Sequence, residues 1–264
     1  MILRKILGQI IRHKYPVIIN SVPKSGTNLL LNIVKQIPGT SLKGDFSLAG
    51  SYNEDKRLHF ILSIIKVLKP GSIYSGHVPY FKEYAEWLKK NRVKQIFIYR
   101  DPRDVTVSLY HYIMNKVPKH DYFDLMTQYE TDSQRLLAAI KGIGNGKENF
   151  ELNNNSIPNI GLVFGAYSNW LSDENTICIP YEKLNDTDEG IAFVKDLFEF
   201  LNINNTYSNT KAKEIWENGK NPSLSHTFRK GKSGNWRQEY QSNHIEAFSS
   251  VFSNELLEKY GYKE

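Results

Sequence analysis

The stretch NSVPKSGTNLLLNIV, residues 20–34, joins a short apolar run to a sequence that reads as a helix, and its reading decides the fold. Lys24, Ser25, Gly26 and Thr27 stand at the junction. Free backbone N–H groups, a small glycine and a cation at the start of a helix favour an anion, because the helix dipole and the orphan amides point there. The nucleoside-triphosphate loop G-x-x-x-x-G-K-[ST] carries its lysine after the second glycine. Here Lys24 precedes Gly26, so that pattern is broken. A plain strand-to-helix turn explains the segment equally well, since Ser and Thr are common helix caps.

Working outward, four segments are short, apolar and rich in Val, Ile and Tyr: PVIINSV (16–22), GSIYSGHV (71–78), KQIFIYR (94–100) and NTICIPY (175–181). They read as buried strands. Helix-like stretches fall at 27–37, 81–91, 102–115, 121–141, 158–172, 188–201, 209–218 and 242–260. This alternation predicts an α/β fold with a central parallel β-sheet flanked by helices on both faces. Residues 142–159, GIGNGKENFELNNNSIPN, concentrate Gly and Asn and predict a mobile surface loop. No internal repeat is present.

The chain has 264 residues, 40% hydrophobic and 23% charged, enough to bury a substantial core, and one domain over 1–264 is expected. Lys and Arg total 34 against 28 Asp and Glu, a net charge of +6 that suits an anionic ligand without indicating nucleic acid. Cys178 is the only cysteine, which rules out an intramolecular disulfide and a cysteine metal cluster and fits a reducing, cytoplasmic setting. The N-terminal MILRKILGQIIRHKYP places Ile2, Leu3, Ile6, Leu7, Ile10 and Ile11 on one helical face. It is too short and too charged to cross a bilayer and lacks a signal-peptide cleavage site. Packing on its own domain is the favoured reading, with peripheral membrane contact by residues 1–14 the alternative.

In an open parallel sheet, ligands bind at the carboxyl ends of the strands. The third strand ends in YRDPRDVTVSLYHYI, where Asp101 caps the next helix, Pro102 suits its first turn and Asp104 is a capping partner. Arg100 has no such structural reason, and a cation beside a helix N-terminus is better explained by an anion. Ser108 lies two turns into that helix. The C-terminal FRKGKSGNWRQEY (228–240) holds four cations and two glycines in thirteen residues, which suits an anion-clamping loop or a solvated basic one.

Together these segments resemble the sulfotransferase family that uses 3′-phosphoadenosine 5′-phosphosulfate (PAPS). PKSGT is similar to its 5′-phosphosulfate loop, YRDPRDVTVSLYH to its 3′-phosphate segment, and RKGKSGNWR to its C-terminal motif RKGxxGDWK, in the family's order over residues 23–237. The resemblance implies a P-loop-containing three-layer fold. It also implies that Lys24, Ser25, Gly26, Thr27 and Asn28 hold the 5′-phosphosulfate, and that Arg100, Ser108, Arg229, Lys230 and Gly231 hold the 3′-phosphate. In SGHVPY, His77 takes the place of the family's general base, and Lys24 stabilises the leaving group. No carboxylate cluster calls for a metal, and none is expected.

Three departures stand out. Ser75 occupies the position where many cytosolic members have a catalytic Lys, so Lys24 carries more of the leaving-group role. The adenine-stacking Trp falls at Leu29, which leaves adenine to other groups, Tyr181 among them. The stretch QEYQSNHIEAF lacks the family's dimerisation motif, so oligomeric state is open. The implied reaction moves a sulfuryl group from PAPS to a hydroxyl, or an amine, of a small-molecule or carbohydrate acceptor, with segments 44–60 and 115–158 as acceptor loops and Tyr80 and Phe81 as pocket candidates. Two rival readings are a kinase-like nucleotide enzyme, which needs magnesium and an acidic ligand, and a non-catalytic polyanion binder, which has no use for His77.

Overall fold

In a computed structural model of the protein, the described residues are 15–46, 68–116, 120, 122–148, 156–203, 208–221 and 233–263. The amphipathic stripe at 1–14, residues 47–60 of the expected acceptor loop, and Arg229, Lys230 and Gly231 lie outside them.

The described residues form one sheet of five parallel strands, β1 (Val17–Ser21), β2 (Ser41–Phe46), β3 (Ser72–Gly76), β4 (Lys94–Tyr99) and β5 (Thr176–Pro180), in the order β2-β3-β1-β4-β5. The helices in chain order are α1 (Thr27–Lys35), α2 (Lys82–Lys90), α3 (Pro102–His111), α4 (Phe123–Thr127), α5 (Asp132–Lys141) and α6 (Ile160–Tyr167). After β5 follow α7 (Tyr181–Asn185), α8 (Thr187–Phe200), α9 (Asn209–Gly219), α10 (Trp236–Glu239), α11 (Ser242–Val251) and α12 (Asn254–Lys259).

Alternation along each strand sorts its side chains into two cores. Val17, Ile19, Ile96 and Ile98 face α1, α8 and α9 through Leu30, Ile33, Val194, Leu197 and Ile215. Ile18 and Phe97 face the other way, toward Tyr84, Val107, Leu136, Phe164 and Phe248 of α2, α3, α5, α6 and α11. Burial on both faces explains why these strands read as continuous apolar runs. The layers are helix, sheet, helix. Asn20 near the end of β1 pairs with Gly76 of β3 on one side and Phe97 of β4 on the other. The loops after β1, β3 and β4 therefore leave the sheet side by side.

Several local expectations change. The fifth strand, β2, was not expected because SLKGDF is polar and lies at the sheet edge, its register slipping between Leu42 and Gly44. The segment 142–159 is not a loose loop where it is described: Ile143 and Ile157 exchange backbone hydrogen bonds of 2.8 and 3.1 Å. Burial of these two isoleucines draws it shut, and Gly146 admits the Ile157 carbonyl so closely that a Cβ there would lie 2.1 Å from it. The helix expected over 121–141 breaks before Asp132, where Thr131 and Gln134 cap reciprocally at 3.2 and 3.1 Å. The helix expected over 242–260 breaks at Ser253, whose hydroxyl caps α12. Beyond His111 the chain widens into a π-helical turn, Tyr112–Lys116.

Candidate active site

The loop after β1 is built on two left-handed residues, Lys24 (φ 68°) and Gly26 (φ 97°). Gly26 is required twice over, since a Cβ there would also lie 2.5 Å from Cδ2 of Tyr181. Helix α1 starts at Thr27 with no side-chain cap from Gly26, so the loop itself supplies no acceptor at the helix N-terminus, where an anion is favoured. Ser25 is fully buried and its Oγ has no hydrogen-bond partner among the described residues. An orphaned hydroxyl beside uncapped helix amides is the donor set a phosphate or sulfate oxygen satisfies. Nζ of Lys24 lies 3.3 Å from the centroid of the Tyr112 ring. Burial, and secondarily the charge of Arg100, lower its pKa to about 8.

His77 follows β3, and the end of β1 holds it. Its Nδ1 lies 3.0 Å from the Ser21 carbonyl and 2.9 Å from Ser21 Oγ. A carbonyl only accepts, so Nδ1 carries the proton and the basic lone pair is on Nε2. Ser21 Oγ is in turn 2.6 Å from Thr27 Oγ1 of the anion loop. Asn20 fixes the backbone beside it: Oδ1 accepts from the Val78 and Ser21 amides at 2.8 and 2.9 Å, and Nδ2 donates to the Val78 carbonyl at 2.8 Å. Trp170 Nε1 donates to the same carbonyl at 2.9 Å. Ser75 is buried, and its hydroxyl donates to Asp45 of β2 at 3.1 Å.

On the other side of β1, Arg100 follows β4. Its Nη2 donates to Asp104 at 3.3 Å, and its guanidinium lies 4.5 Å from the centroid of Tyr181. Asp101 caps α3 through the Arg103 amide at 2.9 Å and takes a bidentate pair from the Arg103 guanidinium. Asp104 is not the capping partner the sequence predicts. The Asp101 amide donates instead to Glu182 Oε1 at 3.2 Å, and the Asp104 carboxylate accepts from the Gly234 and Trp236 amides. Burial raises the Glu182 pKa, and Tyr262 donates its hydroxyl to Oε2 at 2.6 Å. Ser108 is half-buried further along α3. Tyr181, at the start of α7, packs on Gly26 and under Arg100 and is almost fully buried.

The strand ends thus bring Lys24, Ser25, Gly26, Thr27, His77, Arg100 and Tyr181 to one edge of the sheet. Sequence reasoning missed Asn20, Ser21, Glu182 and Trp170. Ser21 lay inside the first segment read, but a serine before a loop carries no mark of a partner 56 positions away.

The sulfotransferase domain family matches residues 14–261. The chain belongs to this sulfotransferase family. Sulfotransferase 2B1 of Mus musculus is 28% identical over 91% of this chain and 71% of its own length, and Sulfotransferase 2A1 of Homo sapiens 24% identical over 97% and 89%. Among solved structures, the mouse sulfotransferase SULT7A1 complexed with PAP superposes with a TM-score of 0.62 at 20% identity, over 92% of this chain and 84% of the other. A retinol dehydratase in complex with retinol and PAP gives 0.58 at 15% identity, over 92% and 81%. The sulfotransferase fold expected from the motifs is therefore the fold of this chain. Among the described residues, no group of three or more His, Cys, Asp or Glu could hold a metal ion, and no helix is long and apolar enough to cross a membrane.

Proposed function

We propose that this sulfotransferase moves the sulfuryl group of PAPS to a hydroxyl of a small-molecule or carbohydrate acceptor, with His77 as general base. One observation carries the reading: the Ser21 hydroxyl joins His77 Nδ1 to Thr27 of the anion loop, at 2.9 and 2.6 Å, so base and anion site belong to one hydrogen-bonded unit. PAPS supplies the sulfuryl group and leaves as 3′-phosphoadenosine 5′-phosphate (PAP). His77 Nε2 takes the acceptor's hydroxyl proton as its oxygen bonds to sulfur, and the Ser21 carbonyl steadies the imidazolium that forms. Lys24 donates to the oxygen freed from sulfur, and Ser25, Thr27 and the first amides of α1 hold the 5′-phosphate. Arg100 and Ser108, with Arg229, Lys230 and Gly231, hold the 3′-phosphate. Tyr181 contributes by bearing Arg100 and bracing the loop.

For the acceptor, the retinol dehydratase structures contain androsterone and retinol, small apolar molecules with a hydroxyl, which favours the small-molecule branch. Tyr112, beside Lys24, packs against His120 at 5.6 Å and His120 against Tyr122 at 5.2 Å, an aromatic surface suited to such a ligand. A single, half-buried Cys178 fits work in the reducing cytoplasm.

Thermal unfolding in EDTA tests the reading. PAP at 100 times its dissociation constant should stabilise the protein by about 2.7 kcal/mol without any metal. Stabilisation by ATP only when magnesium is added would favour the kinase-like reading, and stabilisation by heparin but not PAP the polyanion binder.

A further inference from the structure

Asp104 is a buried carboxylate that joins Arg100 to the C-terminal segment of the chain. Its side chain is wholly buried and takes three donors: the Gly234 amide at 2.7 Å, the Trp236 amide at 3.0 Å and Arg100 Nη2 at 3.3 Å. The two amides come from a segment some 130 positions further along the chain. The same segment is gripped a second time, since the Trp236 ring lies under the Arg103 guanidinium at 4.2 Å, and Arg103 is itself held by Asp101. A carboxylate in this setting is tolerable only because donors surround it, and donors so engaged are fixed in turn.

We infer that Asp104 is a positioning residue for the 3′-phosphate: it aims Arg100 and pins residues 234–236 to α3, and this sets the preference for a 3′-phosphorylated nucleotide. The inference rests on the reading of Arg100 given above. Two opposed effects make it decidable. An Asp104 carboxylate that merely lay near the 3′-phosphate would repel it, and neutralising that carboxylate would tighten binding. A carboxylate that positions the donors does the reverse, and its loss weakens binding.

The test compares wild type with Asp104→Asn by calorimetry on PAP and on adenosine 5′-phosphosulfate, which lacks the 3′-phosphate. Amide hydrogen exchange in the nucleotide-free protein runs alongside. The expected result is a PAP affinity lower by roughly 10- to 100-fold, from disturbed charge-assisted hydrogen bonds, with adenosine 5′-phosphosulfate changed by less than about 3-fold. Exchange at Gly234 and Trp236 should quicken while the amides of α1 keep their rates. Unchanged or tighter PAP binding overturns the inference. Should Asp104→Asn fail to fold, exchange in the wild type decides: Gly234 and Trp236 as slow as the amides of α3 upholds the tether, and loop-like rates there overturn it. Wild type with equal affinity for both nucleotides removes the Arg100 reading and this inference together, an outcome seen before any variant is made.

Discussion

The two sides of the site are held by different kinds of bond. Beside His77 runs a set of neutral hydrogen bonds through two carbonyls, an amide side chain, two hydroxyls and an indole, drawn mostly from the facing ends of β1 and β3. Around Arg100 they are charged: Asp101, Arg103, Asp104 and Glu182 interlock, and their further partners, Gly234, Trp236 and Tyr262, come from the far end of the chain. On the reading proposed above, the difference follows from what each side must do. A base that changes its own charge during turnover is best held by dipoles, because a fixed carboxylate or cation nearby would bias its pKa in one direction throughout. A site for a permanent anion needs permanent cations, and a half-buried arginine keeps its place and its charge at lower cost when a carboxylate backs it.

The largest effect expected from this contrast is on rate alone. His77→Ala should lower turnover by about 10² to 10⁴, the usual worth of a general base, while PAP affinity stays within a few-fold. Steady-state kinetics with a responsive acceptor, paired with calorimetry, separates the two numbers. Near-normal turnover would remove His77 from the chemistry and leave the neutral side with a purely structural purpose.

The charged side should answer in binding. Arg100→Ala should weaken PAP by roughly 10- to 150-fold, the range for one charge-assisted hydrogen bond, and adenosine 5′-phosphosulfate hardly at all. Equal loss for both nucleotides would make Arg100 a source of general charge, and the distinction between the two sides would shrink to one of composition.

Lys24 sits between the sides and tests both by pH. Its pKa falls from 10.5 to about 8, chiefly through burial and then through Arg100. Folding therefore favours the neutral amine. The resulting destabilisation is full below pH 8 and is relieved as pH climbs from 8 toward 10.5, the window in which the unfolded chain binds more protons. Lys24→Met should raise stability at pH 7, by at most about 3 kcal/mol, with the gain fading toward pH 10. Binding runs the other way. With Lys24 meeting PAP as an ammonium, as proposed, wild-type affinity should fall about 10-fold between pH 7 and 9, and Lys24→Met should be flat over that interval. A wild-type profile equally flat would show that Lys24 does not meet the nucleotide as a cation.

What could be read in advance divides along similar physical lines. The inner strands β1, β3 and β4 announce themselves as apolar runs, and so does β5 at one edge through Ile177, Cys178 and Ile179, whereas β2 does not, because Lys43, Gly44 and Asp45 occupy the other edge, which one neighbour and solvent can satisfy. Helix limits were legible where a cap is local, and Thr131 with Gln134 was a signal overlooked. The placement of candidate residues was legible wherever they follow a strand in sequence, as at Lys24, His77 and Arg100, which the sheet brings to neighbouring strand ends. It was illegible where a residue acts through a distant partner. Asp104 has an ordinary local reason to follow Asp101 by three positions, and only the fold shows that its carboxylate goes elsewhere. Glu182 and Tyr262 find each other 80 positions apart, a pairing no local spacing encodes.

The smallest predicted effect is the one most specific to the neutral side. With Nδ1–H of His77 donating to the Ser21 carbonyl and hydroxyl, the hydroxyl's own proton is directed to Thr27 Oγ1, 2.6 Å away, and Thr27 is left to donate onward to the loop's anion. The chain of hydrogen bonds thus has a direction, set by the one atom in it that can only accept. Ser21→Ala keeps the carbonyl and removes the relay. PAP affinity should fall about 2- to 12-fold, the worth of one neutral hydrogen bond, and Ser21→Thr should restore it. The acid limb of the turnover profile should also move to lower pH, because the imidazolium loses an acceptor while the neutral ring loses less. Thr27→Val gives the decisive comparison. If the hydroxyls act in series, Ser21→Ala costs PAP affinity in the wild type and nothing further once Thr27 has lost its own hydroxyl. Additive losses in the double variant would mean that Ser21 and Thr27 meet the nucleotide independently, and that the base and the anion loop are neighbours without being coupled.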